Sequence, residues 1–140
     1  MTRCVTAAVS VLSTAALMLG FAGTASADPS SDSSPEPSCI YTLSSPQLVQ
    51  VSGVTMVTAT LAPYPCTGSI NPNSMTVCVQ AQGDDTNGKC ASEAKPIAAR
   101  VYFAPYRPGR TYVSTGRGCG SVFTAEGSIC ASVGPKTATL

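Results

Sequence analysis

The stretch CIYTLSSPQLVQVSGVTMVTATLAPYPC, residues 39–66, decides the fold because it has the pattern of one long β-hairpin with a cysteine at each end. Residues 47–51 and 54–62 are together rich in Val and Thr and alternate as strands do, and Ser52-Gly53 between them is suited to a two-residue turn between antiparallel strands. If Val51 pairs with Val54, counting outward along both strands brings Cys39 opposite Cys66. The pattern therefore predicts a hairpin closed by a disulfide at its open end.

The N-terminal residues have the layout of a secretory signal peptide. Arg3 is followed by an apolar run over residues 5–22 and by the small residues Ala25-Ser26-Ala27. An uncleaved membrane anchor is the alternative. We expect cleavage after residue 27, no membrane span in the mature chain, and a secreted or extracellular protein, with retention at the cell envelope left open.

Residues 28–38, DPSSDSSPEPS, contain only serine, proline and acidic residues. A segment with nothing to bury is typical of a disordered linker, and O-linked sugars are an alternative use for it. The remaining residues, 39–140, are enough for one domain. Removal of Arg3 with the signal peptide takes the formal charge from +1 to zero.

The mature chain keeps six of the seven cysteines, and an even number behind an export signal favours a disulfide framework. The pairs 39–66, 78–90 and 119–130 each bracket a turn that contains glycine, which predicts one disulfide within each of three hairpins. The rival is an immunoglobulin-style bridge between sheets, such as Cys78 with Cys119. Zinc is not expected, because the chain lacks both histidine and a C-x-x-C spacing. The predicted disulfide cysteines are Cys39, Cys66, Cys78, Cys90, Cys119 and Cys130.

Period-two alternation recurs downstream and no segment has a convincing helical period. In residues 75–82 it places Met75 and three other apolar residues on one face and Cys78 on the polar face. The other expected strands are 97–104, with Ile97 facing inward, 111–115, 129–133 and 136–140. We expect residues 68–74 to form a turn, and the segment 121–128 to turn at Ala125-Glu126-Gly127. We expect the strand that begins at Thr111 to loosen over residues 116–120, whose glycines permit a bulge or a close approach of the backbone. The fold class predicted is all-β, an immunoglobulin-like sandwich of about seven strands.

Catalysis is not expected. The absence of histidine excludes Ser-His-Asp and Cys-His chemistry and histidine-ligated metals. The carboxylates of the domain are Asp84, Asp85, Glu93 and Glu126, and adjacent Asp84 and Asp85 would face apart on a strand. Asp84, Asp85 and Asn87 lack the spacing of a calcium loop, so a plain turn is favoured. We predict no catalytic, metal or cofactor-binding residue and no cofactor.

Four arginines lie in a stretch without an acidic residue, at positions 100, 107, 110 and 117. They are too few for a nucleic-acid-binding stripe, and ordinary solvated arginines are the alternative to a binding face. Tyr106 lies in a Pro/Gly turn between two of them, where it either contacts a partner or packs over the turn. The candidate partner-binding residues are Arg100, Tyr102, Tyr106, Arg107 and Arg110.

The runs SPQLVQVSGVTMVTATLAP and YFAPYRPGRTY, together with the six-cysteine layout, resemble small secreted proteins of mycobacteria and related actinobacteria that have no assigned function. The resemblance implies export and a β-sandwich-like domain and carries over no site. In architecture alone the chain is also similar to the apoproteins of secreted actinobacterial chromoproteins, whose cleft residues have no counterpart here.

We expect a secreted, non-enzymatic binding or cell-surface interaction module, whose partner is a protein or a cell-surface ligand and not a nucleic acid. A secreted protease inhibitor is the alternative, with the disulfide-anchored loop from Gly120 to Ile129 as its inhibitory segment. A hydrolase is the third hypothesis.

Overall fold

The computed structural model describes residues 36–83, 88–123 and 126–140. These residues contain eight strands, all in antiparallel pairs, and no helix. The predicted signal peptide and most of the predicted linker lie outside these ranges, as do Asp84, Asp85 and Asn87. The strands are β1 (Ser38–Leu43), β2 (Gln47–Val51), β3 (Val54–Thr67), β4 (Ile70–Ala81), β5 (Lys89–Glu93), β6 (Ala99–Phe103), β7 (Thr111–Val122) and β8 (Ser128–Thr139). The all-β prediction is confirmed, with eight strands instead of about seven.

The strands form two sheets. In sheet A, β3 is central; β1 and β2 follow each other along one edge of β3, and β6 pairs along the other. Sheet B has the order β5-β4-β7-β8. The buried side chains of both sheets meet in one apolar core, as in a β-sandwich.

The predicted hairpin is confirmed at both ends, because Val51 pairs with Val54 and Cys39 pairs with Cys66. It is not one continuous ladder. β3 contains one extra residue between the Cys39–Cys66 and Tyr41–Pro63 pairs. The segment between β1 and β2, residues 44–46, contains one extra residue on the opposite side, so the two register shifts cancel. Ser44 fixes the break: its N–H donates to the Thr60 carbonyl, its hydroxyl accepts from the Thr60 N–H, and its carbonyl accepts from Ser114 Oγ of sheet B, each at 2.9 Å.

The three local disulfides predicted from the turns are all present, and the Cys78–Cys119 bridge is not formed. Each joins directly paired residues whose Cα atoms lie 4.0 Å apart, as in the closely spaced pairs of an antiparallel ladder. In the chain-entropy description each closure of this length stabilises the fold by about 3 kcal/mol.

The core alternates along its strands as the sequence pattern requires. Met75, Val77 and Val79 of β4 are fully buried, whereas Cys78 lies on the outer face as predicted. From sheet A the core receives Leu43, Val57 and Leu61.

The strand does not loosen at glycines 116, 118 and 120 as expected, because β7 continues through them to Val122. The close approach of the backbone that these glycines permit is present. Their missing side chains face the core. A Cβ at Gly118 would lie 2.1 Å from the Tyr41 ring, and one at Gly116 would lie 2.8 Å from Leu61 Cδ1. Large side chains of sheet A and Ile70 therefore occupy the space that β7 leaves free.

Three expected boundaries are wrong. β6 begins at Ala99, not at residue 97, and Ile97 is 51% exposed because it precedes the paired segment. The segment 68–74 was expected to be a turn, but only Gly68-Ser69 turns and β4 already begins at Ile70. Residues 128–139 form one strand, not two, because a register shift opposite Thr115 absorbs Gly134-Pro135 as a bulge.

Candidate functional site

Arg100 and Tyr102 lie on the outer face of β6. The alternation buries Ala99 and Val101 in the core, so the two intervening side chains point away from it. Tyr102 pairs with Thr58 of β3, and Thr58 pairs with Gln47 of β2, which puts these three residues in one row across sheet A. The row is rigid, because the Thr58 hydroxyl also donates to the Val101 carbonyl at 2.8 Å.

An apolar pair lies beside this row. Val49 and Met56 are paired on the same outer face and are half-buried. Beyond the row on the other side, Arg100 pairs with Thr60 and is exposed. By register, Arg100 is the only charged residue on this face among the described residues. We call the set Val49, Met56, Thr58, Arg100 and Tyr102 the Tyr102 patch.

Tyr106 packs inward over the turn. It is half-buried against the core, and its ring centroid lies 6.3 Å from that of Tyr112. Phe103 meets Tyr112 edge-on at 5.9 Å, so the three rings form one aromatic cluster beneath the β6–β7 connection. The packing role that the sequence offered as the alternative for Tyr106 is the one that its position favours.

Arg107 and Arg110 belong to the same connection, which Tyr112 holds in place. The Tyr112 hydroxyl accepts from the Arg107 N–H at 2.8 Å and donates to the Arg107 carbonyl at 3.2 Å. Arg107 is exposed and Arg110 is half-buried. The five candidate residues thus divide into a pair on the outer face of sheet A and three residues in a turn that is tied to the core.

Phe123 is an exposed aromatic residue that the sequence analysis did not single out. It directly follows β7 and is 89% exposed, whereas the other described aromatic side chains are at most 51% exposed or half-buried. The Cys119–Cys130 disulfide joins β7 to β8 two residue pairs from the last pair of this hairpin, Ser121–Ser128. Strand alternation predicts which side chains point out of a sheet, but this residue follows the last pair of its strand, where alternation says nothing.

The described residues contain neither a group suited to a metal ion nor a helix that could cross a membrane. No group of three or more His, Cys, Asp or Glu side chains within 36–83, 88–123 and 126–140 is placed to hold a metal ion. In the same ranges no helix is long and apolar enough to cross a membrane. Comparisons with protein-family models, with curated proteins and with solved structures found no match to this chain.

Proposed function

We propose that this protein is a secreted, non-enzymatic interaction module with an immunoglobulin-like sandwich as its scaffold, and that it binds a protein or cell-surface ligand through the Tyr102 patch. The observation that carries the proposal is the composition of that patch. A half-exposed tyrosine lies next to two apolar side chains, and an arginine stands on its far side. Tyrosine and arginine are enriched among the residues that dominate binding energy at protein interfaces.

The oxidising environment that the disulfides indicate supports the proposal of a secreted protein. Three intramolecular disulfides indicate an oxidising environment of the extracellular type. The signal-peptide layout and the resemblance to exported actinobacterial proteins make secretion the natural route to it. The patch also lies on strands that pair within one sheet, so that binding would cost little ordering.

Site-specific photo-cross-linking tests the proposal, because it reports which position of the protein contacts the partner. A photoreactive residue replaces Gln47, in the row of Tyr102, or Ser92 on the outer face of sheet B, and each protein is exposed to culture filtrate and to cell-envelope fractions of the producing organism. We expect a discrete product at Gln47 that unlabelled wild type competes away and that the Arg100→Ala/Tyr102→Ala variant does not.

Two outcomes would contradict the proposal. Equal products at Gln47 and Ser92 would show that the contact is not specific to sheet A. Competition by the Arg100→Ala/Tyr102→Ala variant equal to that by wild type would remove the patch as the site. Arg117→Ala, on the other sheet, is the matched control and should compete like wild type.

Phe123 favours protease inhibition as the second function. A bulky apolar side chain that projects from a disulfide-closed hairpin has the size and chemistry to enter the apolar specificity pocket of a chymotrypsin-like protease. Titration against chymotrypsin-like and trypsin-like serine proteases tests this. The hypothesis predicts that Phe123→Lys moves inhibition from the first class to the second; inactivity of wild type against both classes would contradict it.

A further inference from the structure

A second surface lies on the opposite sheet and is independent of the Tyr102 patch. The outer face of sheet B contains an open groove of about 300 Å³, near the lower limit for small-molecule sites. Strands β4, β7 and β8 contribute its lining. The lining residues are Thr76, Cys78, Thr115, Gly116, Arg117, Ser132, Val133, Gly134 and Pro135.

The bulge in β8 explains why a groove exists there. Between the pairs Ser114–Lys136 and Gly116–Val133, β8 has one more residue than β7. Gly134 takes up this excess with a positive φ of 101°, and a Cβ on it would lie 2.9 Å from Leu43 Cδ2 in the core. β8 therefore dips towards the core at this point, and the dip leaves a depression on the outer side.

Arg117 is the charged group of the groove. Register places it on the outer face, where it is the only charged residue of sheet B among those described, and no acidic residue lines the groove. Its side chain is exposed, and no hydrogen bond or ion pair joins that side chain to the described residues. An arginine in such a position has its donors available for an external acceptor.

The neighbours of Arg117 form an ordered polar row. Ser92, Thr76, Arg117 and Ser132 pair in succession across all four strands, and the Thr76 and Ser92 hydroxyls are hydrogen-bonded at 2.9 Å. The adjacent rows contain the disulfides Cys78–Cys90 and Cys119–Cys130. Hydroxyls thus flank the guanidinium along its row, and disulfides hold the strands on either side of it.

We propose that this groove binds a small monocarboxylate with an apolar body about the size of one ring. The planar guanidinium of Arg117 matches a carboxylate with two parallel hydrogen bonds, and the hydroxyls of Thr76 and Ser132 lie on either side of it in the row. Pro135 and the Cys78–Cys90 disulfide give the ligand body an apolar wall. The available volume limits that body to roughly one ring.

The experiment titrates the mature, disulfide-bonded protein with benzoate, and follows it by amide chemical shifts and calorimetry. Benzamide has the same ring without the charge, and glucuronate has the carboxylate on a sugar ring. We expect saturable benzoate binding with shifts centred on Arg117, at least about tenfold weaker binding of benzamide, and weaker benzoate binding at high salt.

Three variants locate the site. Arg117→Met removes the charge and keeps the length of the side chain, so benzoate affinity should fall about tenfold or more. Lys95→Met is the matched control, because it removes an exposed positive charge from the connection between β5 and β6, outside the groove and the Tyr102 patch, and should leave benzoate affinity unchanged. Ser132→Leu fills the groove from an exposed strand position and should weaken binding while Arg117 is kept.

Four results would contradict the proposed carboxylate site or one of its parts. Absence of saturable binding of benzoate and glucuronate at millimolar concentration would overturn the site. Equal affinity of benzoate for wild type and Arg117→Met would overturn the role of the arginine, provided that the amide spectrum shows the variant to be folded; unchanged binding by Ser132→Leu overturns the groove independently of that check. Tighter binding of glucuronate than of benzoate would overturn the apolar body of the ligand. None of these results bears on the Tyr102 patch.

Discussion

Tyr41 and Tyr112 are two buried tyrosines in opposite situations. The Tyr41 hydroxyl is buried with no hydrogen-bond partner among the described residues, whereas the Tyr112 hydroxyl makes two hydrogen bonds to the Arg107 backbone. A buried polar group without a partner costs stability, and one with partners contributes it. The two side chains therefore give a matched test of how the core is arranged.

We expect Tyr41→Phe to leave the free energy of unfolding unchanged or to raise it by up to about 1 kcal/mol, and Tyr112→Phe to lower it by about 1–2 kcal/mol. Urea unfolding of both variants and of wild type measures the difference. A larger loss in Tyr41→Phe than in Tyr112→Phe would contradict the assigned environments.

The same burial gives stability a pH dependence. Desolvation raises the pKa of the Tyr41 hydroxyl, so the unfolded chain loses this proton at a lower pH than the folded chain does. The resulting stabilisation is fully present below the unfolded pKa of about 10 and is lost as the pH rises through the folded value. Alkaline unfolding curves should therefore fall more steeply for wild type than for Tyr41→Phe. Tyr102→Phe, on the surface patch, is the control; equal slopes for wild type and Tyr41→Phe would contradict the prediction.

Substitution of Gly118 tests the contact between sheet A and sheet B. A methyl group there would meet the Tyr41 ring at 2.1 Å, so Gly118→Ala should destabilise the fold by about 1–3 kcal/mol. In a Tyr41→Leu background the ring is gone and the cost of the alanine should be smaller. Additive effects of the two substitutions, measured by urea unfolding, would show that the ring does not lie over Gly118.

At the scale of elements, the register of the hairpins was predictable because a two-residue turn fixes every pair that follows until a bulge intervenes. Two bulges do intervene in the 39–66 hairpin, and the disulfide prediction held because they cancel. The continuity of β7 was not predictable: local preference disfavours glycine in a strand, and only the ring of Tyr41, distant in sequence, explains Gly118. The groove was missed for a similar reason, since it depends on the approach of Gly134 to Leu43.

The position of Lys136 on an edge strand leads to a further prediction. Lys136 of the edge strand β8 pairs with the buried Ser114, so it lies on the core-facing side of an unprotected edge, where a charge discourages pairing with another chain. Lys136→Ile should change the free energy of unfolding by less than about 0.5 kcal/mol and increase the aggregated fraction in light scattering. Lys136→Arg is the control and should behave like wild type. An aggregated fraction in Lys136→Ile equal to that of wild type would contradict this role.

At the scale of the whole molecule, each sheet presents one outer face with a single arginine among the described residues, Arg100 on sheet A and Arg117 on sheet B. The faces differ in chemistry: tyrosine and apolar side chains accompany Arg100, and hydroxyls and disulfides accompany Arg117. The sequence suggested the first face because Arg100 and Tyr102 alternate with buried residues. It did not distinguish the second, because Arg117 lies among glycines.

The arrangement of the strands into hairpins and of sheet B against the core depends on one claim, that the three disulfides lie within hairpins and that Cys78 faces outward. Non-reducing peptide mapping tests it most directly, because cyanogen bromide cleavage after Met56 and Met75 separates Cys39, Cys66 and Cys78 from one another, cleavage after Lys89 separates Cys78 from Cys90, and cleavage after Glu126 separates Cys119 from Cys130. The structure predicts linked peptides for 39–66, 78–90 and 119–130 only. Recovery of a peptide that links Cys78 to Cys119 would turn the outer face of β4 inward and would contradict both the arrangement of sheet B and the groove proposed on it.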